Sequence, residues 1–304
     1  MSLDVVGFGA LNLDRLYMVD EIPGRGDQVF AKGCVEAPGG SAANTIVGLS
    51  RLGHRVGYVG KVGADEEGKL LLKSLTDEGI DTRGIIHSEK RRSGIVVGFV
   101  DGRGERTLCV DPGANDELSF EEVDVSYVGG ADFIHVTSFV GNGPFEAQKR
   151  LLCCLSNARV SFDPGELYAR RGLNALRPML RRSHVVFPNE MELKLLTGKN
   201  IETGAEALIG EGVSIVAVKL GGEGCYVTDG KQCLQVPALR VKVVDTTGAG
   251  DAFCAGFLHG LLEGKSLRVC GEIANFVAAC KIRRPGARDG LPLLSELPIF
   301  LDGI

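Results

Sequence analysis

The chain has 304 residues, 44% of them hydrophobic, and a formal net charge of −5. That apolar content fills a complete core and excludes a disordered chain, while the acidic balance excludes a general nucleic-acid or anionic-membrane surface, which needs clustered Lys and Arg. No apolar run approaches the roughly 18–20 residues of a membrane-spanning helix, and the N-terminus enters a predicted strand directly, so a cytoplasmic protein is expected.

In chain order, apolar β-rich runs at Val5–Phe8, Val56–Val59, Asp132–Val136, Arg159–Phe162, His184–Phe187 and Val213–Val218 alternate with helical patterns. The alternation predicts a mostly parallel sheet flanked by helices. A further strand is predicted at Val241, Val243 and Val244, immediately before a small-residue turn. Two regions break the alternation: 15–36 and 93–111 carry turn chemistry (Pro23-Gly24-Arg25-Gly26, Asp101-Gly102-Arg103-Gly104) and little helical periodicity. They read either as two ordinary hairpins or as a small β-sheet lid. Nine cysteines, at 34, 109, 153, 154, 225, 233, 254, 270 and 280, contain no CxxC pair and leave one unpaired. Contexts such as Leu151-Leu-Cys-Cys-Leu155 predict reduced cysteines acting as small core residues and no structural metal.

Two segments carry chemistry. Gly39-Gly40-Ser41-Ala42-Ala43-Asn44 opens a helix marked by Ile46, Val47, Leu49 and Leu52 and stopped at Gly53. Asp245-Thr-Thr-Gly-Ala-Gly-Asp-Ala-Phe253 opens another, with Phe253, Phe257, Leu258, Leu261 and Leu262 at helical spacing. In the second, Gly248 and Gly250 let main-chain N–H groups converge on a ligand, and the helix N-terminus favours an anion. Asp251 places a carboxylate in that cradle, either as a helix cap or as a base beside a phosphate. Asn12, Asp14, Gly39, Gly40, Asn189, Gly221 and Asp251 all follow predicted strands, so one cleft at the carboxyl ends of the sheet collects them.

Together with Asn12-Leu13-Asp14, Gly113-Ala114-Asn115, Asn189-Glu190-Met191-Glu192, Lys219-Leu-Gly-Gly-Glu-Gly224 and Pro285-Gly286-Ala287, in that order, these segments resemble the PfkB, or ribokinase-like, carbohydrate kinase family over almost the whole chain. The resemblance implies an α/β fold, a single ribokinase-like domain over 1–304 with the two inserted segments as a lid over the sugar, and a homodimer through that lid. It implies transfer of the ATP γ-phosphate to a sugar hydroxyl, with Asp251 as general base and the amides of Gly248, Ala249 and Gly250 as anion hole. Asn189 and Glu192 match an NxxE motif tied to Mg²⁺ and phosphate, Glu192 acting through water; without the neighbouring motifs Glu192 reads first as a solvated helix residue. Lys219, Gly221 and Gly224 border the nucleotide and Asn275 stands against adenine, although the glycines also suit a plain turn. Asp245 and Thr247, with the Arg283–Ala287 loop, stand where relatives hold a monovalent cation such as K⁺, and Arg283-Arg284-Pro285 departs from the family's pattern there.

Asp14 and Asn44 suit vicinal hydroxyls, Gly39 and Gly40 admit a sugar close to the main chain, and Asn12 and Arg106 complete the expected substrate set. A sugar phosphate would need a cationic cluster, for which Arg15, Arg25 and Arg106 are candidates. A nucleoside would need stacking walls, for which Tyr17, Phe30, Phe99 and Phe139 are candidates. A free monosaccharide ranks first, a nucleoside second, and a non-catalytic sugar or nucleotide sensor is the reading from another class. Two other nucleotide enzymes are disfavoured: Gly7-Phe-Gly9-Ala-Leu-Asn12 lacks the third glycine of a dinucleotide fingerprint, and no GxxxxGK[ST] occurs.

Overall fold

A computed structural model describes residues 2–297. The chain begins with β1 (Val5–Phe8), leaves for β2 (Asn12–Met18) and β3 (Gly33–Gly39), and returns through α1 (Ser41–Arg51) to β4 (Val56–Gly63). After α2 (Glu66–Thr76) and β5 (Asp81–Ser88) it leaves again for β6 (Gly94–Val100) and β7 (Arg106–Asp111). There follow α3 (Val125–Gly129), β8 (Phe133–Thr137), α4 (Asn142–Cys154), β9 (Arg159–Asp163), α5 (Gly165–Ala169), α6 (Leu173–Leu180) and β10 (Ser183–Val186). The last part comprises α7 (Glu190–Thr197), α8 (Ile201–Gly210), β11 (Ile215–Lys219), β12 (Cys225–Thr228), β13 (Cys233–Val236), α9 (Ala249–Leu262) and α10 (Leu267–Lys281).

Among the described residues nine strands form the main sheet in the order β13-β12-β11-β10-β9-β8-β1-β4-β5, parallel from β5 to β11 and antiparallel beyond. β1, β4 and β8 are buried along their whole length, as parallel strands covered on both faces must be. One core holds Ile46, Phe253, Phe257 and Ile273 under α1, α9 and α10; the other holds Phe8, Phe139, Leu151 and Leu176 on the opposite face. The mostly parallel sheet flanked by helices is therefore the expected α/β fold. The two irregular regions pair into a second sheet, β3-β2-β6-β7, in which β2 and β6 run parallel and the outer strands antiparallel. Among the described residues no helix is long and apolar enough to cross a membrane.

Two expectations are corrected. Residues 241–244 form no strand; Val243 and Val244 are 55% and 56% exposed, with Val244 N donating to Ile282 O at 2.8 Å. β-Branched side chains mark a strand only where a neighbour pairs and covers them, and this segment instead crosses from β13 to α9 as the wall of a cavity, with Val241 and Val243 on its lining. The Asp251 turn is thus reached from a loop, not from a strand. All nine cysteines are free, but only Cys225, Cys254 and Cys270 are buried; Cys153 and Cys154 sit exposed at the end of α4, where local apolar sequence does not decide which face a side chain takes.

Candidate active site

The N-termini of α1 and α9 meet at the carboxyl end of the main sheet. Gly40 caps α1 with φ 108°, and a Cβ there would lie 2.3 Å from Ala10 O, so only glycine passes. Gly248 caps α9 with φ 74°. The cap is the glycine, so the capping role weighed for Asp251 is not the one it takes. Asp251 lies in the first turn of α9, and its carboxylate points at the other helix: Ser41 Oγ donates to Oδ1 at 2.6 Å and Asn44 Nδ2 to Oδ2 at 2.8 Å. Thr45 Oγ1 reaches Asp251 O at 3.2 Å. Burial pushes the Asp251 carboxyl above its usual range; the Ser41 and Asn44 donors pull it back, Asp163 raises it and Lys219 lowers it.

Asn44 is engaged at both ends of its amide, since Arg288 Nε donates to its Oδ1 at 2.8 Å. Arg288 Nη2 also approaches Gly39 O at 3.5 Å, and Arg288 as a whole is 8% exposed. A Cβ on Gly39 would lie 2.5 Å from Asp14 Oδ2, so the glycine makes room for that carboxylate. The Asp14 pKa is raised to about 6 by burial, against the pull of Arg288 and Arg106 and with added repulsion from Asp251. Asn12 accepts from Asn115 Nδ2 at 3.0 Å, and Asn115 also bonds both main-chain polar groups of Leu11, fixing the crossing from β1 to β2. Arg106, on β7, donates to Thr247 Oγ1 at 3.1 Å and so joins the small sheet to the turn before α9.

On the other side of Asp251 lies a polar chamber lined by Ser41, Thr137, Ser138, Asp163, Asn189, Glu192, Lys219, Gly250 and Asp251. Lys219 Nζ donates to Asp163 Oδ2 at 2.7 Å. Burial opposes the Lys219 charge, but Asp163, Cys254 and Glu192 hold its pKa high. Asn189 and Glu192 form a capping box: Asn189 Oδ1 accepts from Glu192 N, and Glu192 Oε2 accepts from Asn189 N, each at 2.8 Å. Glu192 is 6% exposed, so the solvated reading is wrong; burial raises its pKa, Asp163 adds to this, and Lys219 counters it. The chamber shares Lys219, Gly221 and Gly250 with a neighbouring cavity of about 430 Å³, walled by Gly224, Ala238, Leu239, Val241, Val243, Phe253, Asn275, Ala278 and Ala279. The Asn275 amide donates to Val236 O and Pro237 O, both at 3.1 Å, and Gly224 permits the same strand end to approach: a Cβ there would meet Val236 O at 2.0 Å.

Glu192 and Asp163 offer the hard oxygen donors Mg²⁺ requires, and Mg²⁺ keeps most of its shell as water and substrate phosphate. Among the described residues the one His/Cys/Asp/Glu group close enough to ligate an ion directly is His54, His259 and Glu263, none of which lines this chamber. The chamber therefore suits a nucleotide-borne Mg²⁺ held through water. The expected monovalent-cation position fits less well. Asp245 accepts from Thr247 N and Gly286 N, both at 2.8 Å, and the carbonyls beside it already bond the ammonium of Lys281.

Sequence reading missed Ser41, Asp163, Arg288 and Lys281 as site residues. Asp163-Pro164-Gly165 at a strand end was a usable signal, and Ser41 stood inside a motif already singled out. Arg288 and Lys281 had none.

An α/β fold whose two helix N-termini face a nucleotide-sized cavity and a carboxylate-lined chamber is the architecture of a phosphotransferase. A sequence model of the pfkB family carbohydrate kinases matches residues 2–294, and the chain belongs to that family: it is a carbohydrate kinase. A protein named an uncharacterized sugar kinase, from Archaeoglobus fulgidus, is 47% identical over 249 residues, covering 81% of this chain and 98% of its own. A crystal structure of ribokinase from Thermotoga maritima superposes with a TM-score of 0.88 at 28% identity, over 99% of this chain and 100% of that one. A structure of Arabidopsis thaliana ribokinase complexed with ribose and ATP gives 0.85 at 25% identity, over 100% of both chains.

Proposed function

We propose that this enzyme transfers the γ-phosphate of ATP to a hydroxyl of a free monosaccharide, with Asp251 as general base. The observation that carries the reading is the pair of cavities that share Lys219, Gly221 and Gly250, with Asp251, held by Ser41 and Asn44, on the lining of the polar one next to Gly250. The apolar cavity takes the base and ribose of ATP, against Asn275 and Ala278; its phosphates pass Lys219, Gly221 and Gly224 and reach the amides of Gly248, Ala249 and Gly250. Those amides and the α9 macrodipole stabilise charge growing on the transferring phosphoryl group. Asp251 takes the acceptor proton as the sugar oxygen bonds to phosphorus and the bond to ADP breaks. Mg²⁺, when bound with the nucleotide, neutralises phosphate charge, and Glu192 with Asp163 would hold its water shell.

The sugar lies between the α1 N-terminus and the small sheet, residues 12–18, 33–39, 94–100 and 106–111, which acts as a lid within one domain. Asp14 accepts sugar hydroxyls, Asn12, Gly39 and Gly40 shape the pocket beside it, and Arg106 closes the roof onto Thr247. Asn44 contributes by holding Asp251. The aromatic candidates for a nucleoside favour the smaller substrate: Phe139 packs on Phe8 in the core, Phe30 is 84% exposed, and Tyr17 lies three residues from Asp14, so it and its partner Phe99 lie on the opposite face of the small sheet. Arg15 is paired with Glu36 and Glu67, which argues against a sugar-phosphate site there. Val35, Leu108 and Val110 are exposed apolar residues on the Asp14 face, a surface suited to a second copy.

The test is ADP release with ATP and Mg²⁺ over a panel of monosaccharides, sugar acids, nucleosides and sugar phosphates. A free sugar is expected as the acceptor; a nucleoside alone turning over would replace the substrate assignment, and nucleotide and sugar binding without turnover would favour a sensor.

A further inference from the structure

Lys281, the last residue of α10, is fully buried, and its hydrogen bonds go to main-chain carbonyls: Asp245 O at 2.9 Å and Arg284 O at 3.4 Å. A buried ammonium is costly unless acceptors replace its water, so its position demands a local reason. The two carbonyls belong to the segments that frame the turn before α9. Val244 N and Asp245 N both donate to Ile282 O, at 2.8 and 3.2 Å, while the Asp245 carboxylate ties Thr247 N to Gly286 N. Gly248 packs on the same loop, since a Cβ there would lie 2.7 Å from Ala287 O. Residues 244–248 and 282–287 are thus one knot with a cation inside it. Carbonyl dipoles turned inward repel each other unless a cation sits between them, and carbonyl oxygens can replace the hydration shell of K⁺. A Lys ammonium, a compact charge with three donors, satisfies the same oxygens and is already tethered.

We propose that Lys281 is a built-in monovalent cation: its ammonium takes the place of free K⁺ at the Asp245 and Arg284 carbonyls, holds the 245–248 turn in its phosphate-binding form, and makes the enzyme independent of K⁺. The inference rests on the phosphotransferase reading for the role of the turn, and on geometry alone for the occupied cation position. Lys281 acts through that turn, as a positioning residue. Burial lowers its pKa, while Asp245, Asp289 and Asp251 favour the charged form.

The experiment measures binding of a non-hydrolysable ATP analogue with Mg²⁺ by calorimetry, which needs no acceptor. Wild type and Lys281→Met are compared in K⁺, Na⁺ and tetramethylammonium at one ionic strength, and crystals of each are soaked in Tl⁺. The wild type is expected to bind equally in all three salts and to show no anomalous peak between the two carbonyls. Lys281→Met is expected to bind about tenfold to a hundredfold more weakly in tetramethylammonium, the worth of charged hydrogen bonds, to recover in K⁺, and to acquire a Tl⁺ peak. Wild-type affinity that rises with K⁺, or a Tl⁺ peak at those carbonyls in the wild type, overturns the proposal. If Lys281→Met does not fold, the wild-type salt series and Tl⁺ map decide alone. A folded wild type that binds no nucleotide in any salt would count against the phosphotransferase reading, while the Tl⁺ map would still decide the occupant of the cation position.

Discussion

The floor of the cleft and its roof are built on opposite principles. The floor joins the N-termini of two helices through buried and half-buried polar groups, in the chain Arg288–Asn44–Asp251–Ser41, with each carboxylate oxygen of Asp251 supplied with a donor. The roof is a four-stranded sheet whose outer strand β7 is exposed along its whole length, and from it Arg106 reaches across to hydrogen-bond Thr247 in the α9 turn. Buried, fully paired networks are rigid, and thinly packed exposed strands open at low free-energy cost. Chemistry on the floor and substrate capture at the roof should therefore respond differently to substitution.

The largest effect is expected at the base. Asp251→Asn should lower kcat by about 10³-fold or more, at the scale of general-base loss, with sugar and nucleotide binding retained in calorimetry; comparable turnover by the variant would remove Asp251 from the mechanism. Next comes Arg288→Met, which leaves Asn44 Oδ1 without its donor inside the floor. We expect kcat to fall about tenfold to a hundredfold together with a lower melting temperature, as for a buried group stripped of a charged hydrogen bond; a change in KM alone would place Arg288 in the roof's class.

Asp14 stands where floor and roof meet, and pH separates its two effects. With its pKa raised from 3.8 to about 6, the folded state binds more protons than the unfolded one in that window, so stability falls as pH rises through it. Asp14→Asn should raise the melting temperature above pH 6 yet raise KM for the sugar about tenfold, the worth of a charged hydrogen bond. The wild-type KM should itself rise as pH drops below 6, and a flat pH profile would break the assignment. The smallest effects belong to the roof. Arg106→Ala should raise KM a few-fold with kcat nearly unchanged, because one exposed contact is worth about 1 kcal/mol or less. Val110→Asp should give a monomer in sedimentation, with nucleotide binding intact; an unchanged oligomeric state would take dimerisation away from this face.

Much of the floor was legible in the sequence because its residues lie in two continuous motifs, each a glycine turn entering an apolar helix. Main-chain geometry of that kind is written locally: Gly40 and Gly248 stand where a Cβ or a negative φ would not fit. The strands β1, β4, β8, β9, β10 and β11 were legible for a similar reason, since a parallel strand buried on both faces must be a continuous apolar run. Where a valine run met a cavity instead of a neighbouring strand, at 241–244, the same rule failed. The roof could be recognised as extended but not as one sheet, because its pairing of β2 with β6 spans about eighty residues of sequence, from Asn12 to Gly94.

The sequence by itself determined the fold class, the family and the position of Asp251, because each depends on local turn chemistry and on periodicity that the chain carries in order. Only the tertiary structure decided what those residues do to one another. It set Asn44 between Asp251 and Arg288, paired Lys219 with Asp163, and put the Lys281 ammonium on the carbonyls of Asp245 and Arg284. Every one of these contacts but that of Lys281 with Arg284 joins residues tens to hundreds of positions apart, and Lys281 reads in sequence as an ordinary helix-end lysine. Burial alone makes its charge specific, because a buried cation must find its acceptors within the fold.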